Sequence, residues 1–548
     1  MDVVILALNS KYIHSSLAPW YLKSAVDDSG ISSVVIEHTV NEPIEVIIDS
    51  VLKHNPKVLA ISVYIWNVKY TYEVAKRIKA RFLNIDIILG GPEVSYNSAD
   101  VLKSGYIDYV ICGEGEVPFT NLCRYLLFKE TVDLAGVSFN GTIAKPYIGT
   151  QTPKSPYTEE YFNSLNNRIA YFESGRGCPY SCAYCLSGRC EGIRFFDIDY
   201  VKENLLKLAN SGTKTIKFVD RTFNADRRRA YDLFSFLINS SGISFPGDVC
   251  FHFELSADLI DDDTIKLLSS APRGLFQFEI GIQSFNFETL NSIHRKTSND
   301  VLKLRIRQLV DIGNAHIHTD LIAGLPYENY DSFVESFDQA YALGANMLQL
   351  GFLKILHGTE LEEKAYEYGL KFSNEPPYEV YETPWLRKEE LFKLKLAENA
   401  LDRLYNSGRF KRTISLCLPW FDSAYSFYFE CGSAINASTS LDEMTNALFA
   451  FLCAKFPYAE EEIRDALVCD RLATNSSKGL PKSLYRADSF ISEVKKTLNK
   501  EPNTAETPYV RRNIAILYHA KKAVYADYVS KNEQGEYTLK FIDLYEKT

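Results

Sequence analysis

The sequence predicts an α/β protein in three parts: a doubly wound parallel sheet, then a partial (β/α)6 barrel, then a mainly helical C-terminal domain. Three observations predict it. Short apolar runs alternate with helical patterns over the first 130 residues or so, a second such series follows from about residue 169, and from about residue 375 helices take over. The chain has 548 residues. That is beyond the size at which one core keeps growing, so about two to four domains are expected.

In the first part the apolar runs are 3–8, 34–37, 58–63, 85–89 and 109–112. Continuous apolar strands alternating with helices mean a parallel sheet covered on both faces. Five such units suit a doubly wound sheet, whose ligands sit beyond the carboxyl ends of the strands. This domain is placed at 1–135, and a polar stretch with Pro146, Pro153 and Pro156 makes 136–165 a linker.

The second series has runs at 169–172, 215–219, 249–255, 276–282, 318–323 and 347–353. Six strand–helix units within 166–372 are too few for a full eight-stranded barrel and fit a partial one, with its site at the strand carboxyl ends. The third domain, 373–548, has helical patterns at 387–406, 441–456 and 490–498 and aromatic joints such as Leu418-Pro419-Trp420-Phe421. The chain shows no internal repeat, low-complexity tract or heptad array.

Hydrophobic residues make up 46% and charged residues 24%, the balance of a globular protein, and the formal net charge of −10 argues against a broad nucleic-acid-binding face. No run approaches the ~18 apolar residues that cross a bilayer. The opening MDVVILALNS lacks a basic segment and a cleavage site, so it reads as a buried strand rather than a signal peptide. A cytoplasmic location without a membrane partner is expected. Eleven cysteines in that setting are thiols or ligands rather than a disulfide framework. Cys112, Cys123, Cys250, Cys417, Cys431, Cys453 and Cys469 are scattered singly and read as small buried hydrophobes. The other four fall between Cys178 and Cys190.

That cluster follows the first barrel strand, as Gly175-Arg176-Gly177-Cys178-Pro179-Tyr180-Ser181-Cys182-Ala183-Tyr184-Cys185. Spacings of four and three residues let one short loop aim three thiolates at one point. Soft ligands in that number suit an iron–sulfur cluster or zinc. Zinc would want a fourth ligand, which Cys190 could supply. The CxxxCxxC spacing itself reads better as three ligands and one open iron. Chance composition supplies only about 0.004 such triplets in this chain, so the match is specific. CxxxCxxC after the first strand, with Tyr184 before the last cysteine, resembles the radical S-adenosylmethionine (SAM) signature. The resemblance implies that Cys178, Cys182 and Cys185 ligate a 4Fe–4S cluster whose open iron chelates SAM.

Later strand ends extend the likeness over about residues 169–360. Lys217-Phe218-Val219-Asp220-Arg221-Thr222 resembles the second-strand motif that lines the SAM amino group, which implies Asp220; relatives usually carry two acids there. Phe253-Glu254-Leu255 and Glu279-Ile280-Gly281-Ile282-Gln283-Ser284 resemble the third and fourth strands of coproporphyrinogen-dehydrogenase-like radical SAM enzymes, implying Glu254 and Gln283 at the SAM ribose and methionine ends. Arg295 matches the arginine that grips the SAM carboxylate, a task that suits a bidentate guanidinium. Asp320 matches the fifth-strand motif near SAM, and Gly324 would let backbone approach the adenine. The turn Leu353-Lys354-Ile355-Leu356-His357-Gly358-Thr359 resembles the family's sixth-strand turn, with His357 in place of proline. His252, His294, His316 and His318 also lie near strand ends. His316 and His318 share a face of one strand, so they read as a metal pair or, more simply, as packing.

A doubly wound sheet before such a barrel resembles the cobalamin-binding branch of the superfamily. The matching residues are Ser62 after the third strand, Gly90 and Gly91 after the fourth, and Gly113 and Glu114 after the fifth. The chain lacks D-x-H-x-x-G, and His14 is the one histidine placed to ligate cobalt; its simpler reading is a loop histidine bonded to backbone. G-x-G-x-x-G is missing, which counts against a dinucleotide. The C-terminal part resembles an uncharacterised extension found on one branch of these proteins. Trp385 and Trp420 read as aromatic core or as a cap on the barrel mouth, and Arg227-Arg228-Arg229 as a solvated helix start or a contact for a phosphorylated substrate.

The function implied is a cobalamin-dependent, oxygen-sensitive radical SAM enzyme, a methyltransferase acting on an unactivated carbon of a small-molecule or peptide substrate. It would draw electrons from an external one-electron reductant of flavodoxin or ferredoxin type. The alternatives are a radical rearrangement, cyclisation or oxidation without methyl transfer, and a non-enzymatic cluster or cobalamin redox sensor. A tRNA methylthiotransferase is disfavoured because no cysteine precedes Cys112.

Overall fold

A computed structural model describes residues 1–189, 192–475, 479–498, 512–532 and 535–543. Cys190, the alternative fourth ligand, lies outside the described residues. Two compact units are distinguished, one of residues 1–329, 343–345 and 351–387, the other of 330–342, 346–350 and 388–548.

The first sheet contains β1 (Val3–Asn9), β2 (Ser33–Thr39), β3 (Val58–Ser62), β4 (Asp86–Gly90), β5 (Tyr109–Ile111) and β6 (Val137–Phe139), in the order β2-β1-β3-β4-β5-β6. All neighbours are parallel except β5 and β6, which are antiparallel. Successive side chains of a strand point to opposite faces, and β1 shows the consequence. Val4, Leu6 and Leu8 join Ile47, Val51, Val74 and Ile78 in one core, while Val3 and Ile5 join Val26, Phe119 and Leu122 in another. Both faces are buried, which is why the strands read as continuous apolar runs. The segment read as a linker adds β6 and the helix Glu159–Leu165. β6 has only three residues, too short a pattern to register in sequence.

The second sheet has the order β14-β13-β12-β11-β10-β7. Its strands are β7 (Ala170–Phe172), β10 (Thr215–Phe218), β11 (Cys250–Leu255), β12 (Phe276–Gln283), β13 (His316–Ala323) and β14 (Met347–Phe352). Between β7 and β10 a hairpin of β8 (Gly175–Cys178) and β9 (Gly192–Phe195) carries the first cluster cysteine. One face of this sheet is aromatic: Phe253, Phe276 and Phe278 pack with Phe234 of the helix Arg227–Ser240, and Phe218 packs on Phe253. The residues between them therefore face the other way. They are Lys217, His252, Glu254, Glu279, Gly281, Gln283, His318 and Asp320, and they make the opposite face polar.

Within the first unit, Arg168 ties the two sheets together. Its guanidinium meets Glu37 at 2.8 Å and 3.3 Å and donates to the His14 carbonyl, with the arginine side chain 7% and the glutamate 10% exposed. Removing one partner of such a pair leaves a buried charge uncompensated. Arg168→Met is expected to lower the unfolding free energy by about 3 kcal/mol, read as the shift of a denaturant midpoint; a change within error would show that the tie is energetically idle.

The second unit is helical, as expected, through Lys388–Ala400, Ala424–Ile435, Leu441–Lys455 and Glu460–Thr474. It also contains an antiparallel sheet of β17 (Arg512–Leu517), β18 (Lys522–Lys531) and β19 (Tyr537–Asp543), numbered after the short pair β15 (Lys371–Phe372) and β16 (Val380–Glu382). The mainly helical expectation missed that sheet. Trp420 packs on Phe456 and Tyr458 in this unit, and Trp385 on Tyr327 in the first; both tryptophans are half-buried. Among the described residues no helix is long and apolar enough to cross a membrane.

Candidate active site

The cysteine loop is shaped by glycines and pinned by backbone. Gly177 has φ +103°, and a Cβ there would collide with the Gly192 carbonyl across the hairpin. A Cβ at Gly188 would come within 2.7 Å of the Cys182 carbonyl. Cys185 N–H donates to the Cys182 carbonyl at 3.0 Å, Ala183 N–H to Ile293, and Leu361 N–H to Ala183. Cys178, Cys182 and Cys185 are free thiols lining one cavity of about 190 Å³. Burial pushes the Cys182 thiol up, and the Arg295 guanidinium beside it pulls the other way. By contrast Cys112, Cys123, Cys417, Cys431 and Cys469 are buried in cores, as small hydrophobes should be. Cys250 and Cys453 are half-buried.

Tyr184, Glu254, Gln283, Arg295 and Asp320 line the same cavity, so five residues named from four separate strand ends converge on the thiols. Arg295 donates to the Gly281 carbonyl at 2.7 Å and lies over the Tyr180 ring at 5.6 Å. Gln283 takes φ +71°, and its Oε1 is buried without a partner. Burial raises the Glu254 carboxyl to about 7, and Arg221 works against that rise. An orphaned acceptor such as Gln283 Oε1 is rare in a finished interior and fits a polar ligand.

Two expected residues are elsewhere. Asp220 is buried and accepts from Ser174 N–H at 2.9 Å and Ser174 Oγ at 2.6 Å, so it braces the turn into the cluster hairpin; Arg221 and Thr222 line the cavity in its place. Gly324, at φ +92°, turns the chain after β13 with Leu353 and Val380 beside it. Residues the sequence did not single out are Tyr180, Arg221, Thr222, Ser256 and Glu279. Counting back in twos from Gln283 along β12 would have found Glu279. Burial opposes its ionisation, yet His252 at 2.9 Å and Lys217 at 3.1 Å win, and its carboxyl falls to about 2.

His316 is exposed, whereas His318 Nε2 lies 2.9 Å from Asp320 Oδ1. Donor atoms of Glu279, His318 and Asp320 lie within 4.8 Å of one another, but Lys217 already places positive charge on Glu279. The two strand histidines do not form a metal pair.

At the strand ends of the first sheet, Ser62 Oγ is buried with no partner. Beside it Tyr64 and Trp66 stack at 4.5 Å, and Trp66 is half exposed. Asn67 fixes this loop by donating to the Leu8 and Ser62 carbonyls at 3.0 Å. An orphan hydroxyl beside an uncovered aromatic shelf fits a large ligand beyond the strand ends. The glycines serve the chain itself. Gly91, at φ +116°, closely approaches the Val63 carbonyl, Gly113, at φ +85°, that of Tyr147, and a Cβ at Gly90 would lie 3.5 Å from Ile111 Cβ. Glu114 is occupied by Arg176 and Arg194, each at 2.7 Å, so it braces the cysteine hairpin. His14 Nδ1 bonds Tyr171 Oη at 2.8 Å, and burial lowers its pKa. Arg229 donates to the Ser174 carbonyl and stacks on Phe195, while Arg227 and Arg228 are exposed.

Residues 172–340 match the radical SAM superfamily, 3–123 the B12 binding domain, and 366–534 a protein family of unknown function, DUF4080. The chain carries a radical SAM domain. With its B12-binding domain, this radical SAM protein is implied to hold a 4Fe–4S cluster, SAM and cobalamin. It is 27% identical over 387 residues to the cobalamin-dependent radical SAM methyltransferase TokK of Streptomyces tokunonensis, covering 66% of this chain and 56% of that one. It is 28% identical over 321 residues to 2-(S-pantetheinyl)-carbapenam-3-carboxylate methyltransferase of Streptantibioticus cattleyicolor, covering 51% and 44%. The chain thus spans about half the length of these curated relatives. In fold it is similar to the cobalamin-dependent radical SAM enzyme OxsB (TM-score 0.60, 14% identity, 92% of this chain and 82% of that one). It is also similar to the radical SAM methyltransferase TsrM of Kitasatospora setae (TM-score 0.57, 17% identity, 69% and 79%).

Proposed function

We propose that the protein is a cobalamin-dependent radical SAM enzyme that transfers a methyl group to an unactivated carbon. The observation that carries this reading is one cavity in which three free thiols meet Arg295, Gln283 and Asp320, in the same compact unit as the Ser62–Trp66 strand end of the B12-binding domain. Bound together, the cluster and SAM would supply a 5′-deoxyadenosyl radical and cobalamin a transferable methyl group.

The chain's own share is placement. Cys178, Cys182 and Cys185 would hold the cluster. Arg295, fixed on the Gly281 carbonyl, would offer its remaining N–H groups to the SAM carboxylate, and Gln283 would offer an acceptor to a polar end of SAM. Ser62 and the Tyr64–Trp66 shelf would seat the corrin. Arg176, bound to Glu114, Glu116 and Glu173, locks the cysteine hairpin against the cobalamin-binding edge and so fixes the spacing of the two sites.

Anaerobically reconstituted protein given cobalamin, a reductant of flavodoxin type and methyl-labelled SAM tests the reading. Label in bound cobalamin together with 5′-deoxyadenosine supports it. 5′-Deoxyadenosine without label in cobalamin would move the assignment to a rearrangement or oxidation, and neither product would leave a redox sensor.

A further inference from the structure

We propose that Arg221 is the substrate-recognition residue of this site and that the substrate carries an anionic group, a carboxylate or phosphate. This rests on the proposed function, since it assigns the acceptor of that reaction.

The first argument is charge left over. Two cations line the cavity, and one of them, Arg295, is held by the Gly281 carbonyl. The other, Arg221, is exposed and, among the described residues, makes no side-chain hydrogen bond or ion pair where it lines the cavity beside Cys178, Thr222 and Glu254. The carboxylates within reach do not claim it. Glu279 is taken by His252 and Lys217, and burial works against ionisation of Glu254.

Position is the second argument. Arg221 follows β10 and lines the cavity together with Cys178 and Thr222 on the cluster side and Glu254 at the end of β11. A methyl acceptor has to reach the cluster side of this cavity. The SAM carboxylate would have a deeper partner in Arg295, which is half-buried next to Cys182. An unpaired guanidinium at the rim is then a fork set for a planar or tetrahedral anion brought by a third molecule.

The test uses holoprotein with cobalamin and SAM bound, titrated calorimetrically with malonate and with inorganic phosphate, for the natural chain, Arg221→Gln and Arg221→Lys. The natural protein is expected to bind one equivalent of at least one anion. Arg221→Gln should weaken that binding roughly tenfold or more, with Arg221→Lys in between. The dissociation constant for SAM and the cobalamin content, measured on the same samples, report on the two cofactors as rival anion sources. Equal anion binding by the natural and Gln proteins, or none by the natural protein, overturns the proposal. So does an equal loss of SAM or cobalamin in the Gln variant, because the guanidinium would then serve a cofactor. None of these readouts depends on methyl transfer, so the two proposals fail separately.

Discussion

Replacing Cys182 with alanine is expected to lower reductive SAM cleavage by at least about three orders of magnitude, because an incomplete ligand set leaves no cluster to deliver the electron. Cys182 is the most buried of the three thiols, at 7% exposure, and faces Arg295. No described cysteine outside the loop lines the cavity, since the others sit in cores or elsewhere in the fold, so none there can substitute. The measurements are iron per chain and 5′-deoxyadenosine released under reductant. Cobalamin content should survive, because the B12-binding domain has cores of its own. A variant that still cleaves SAM at the natural rate would show that these thiols are not the ligands.

The second large effect is on SAM itself. Arg295→Lys keeps the positive charge and removes the fork, so it isolates geometry from charge. The natural guanidinium spends one N–H on Gly281, at 2.7 Å, and stacks over Tyr180. A lysine cannot make that bond and a bidentate contact together. SAM affinity is expected to fall about 30-fold, close to 2 kcal/mol, with the iron content unchanged. Equilibrium binding to the reconstituted protein reads this directly. An unchanged affinity would mean that the carboxylate of SAM is held elsewhere.

Much of this arrangement could be read from sequence, for physical reasons. Strands buried on both faces need uninterrupted apolar runs, and β1 and β3 supplied them. Three thiolates that meet at one iron must sit at fixed short spacings, so Cys178, Cys182 and Cys185 were visible as a unit. What the sequence hid was direction. Asp220 and Arg221 are adjacent, and only the turn after β10 decides that the carboxylate goes inward to Ser174 while the guanidinium goes to the cavity. Glu114 and His14 had the right place at strand ends, but each found a partner in the barrel, Arg176 and Tyr171, that no local pattern predicts. The strands β6 and β17–β19 carry their signal in tertiary pairing rather than in a long apolar run.

The measurement that bears most directly on the central claim is the electron paramagnetic resonance spectrum of the reduced, reconstituted protein with and without SAM. An open iron predicts a 4Fe–4S signal that changes when SAM is added and reverts when it is removed. A signal indifferent to SAM, or a single zinc in place of the cluster, would contradict the account.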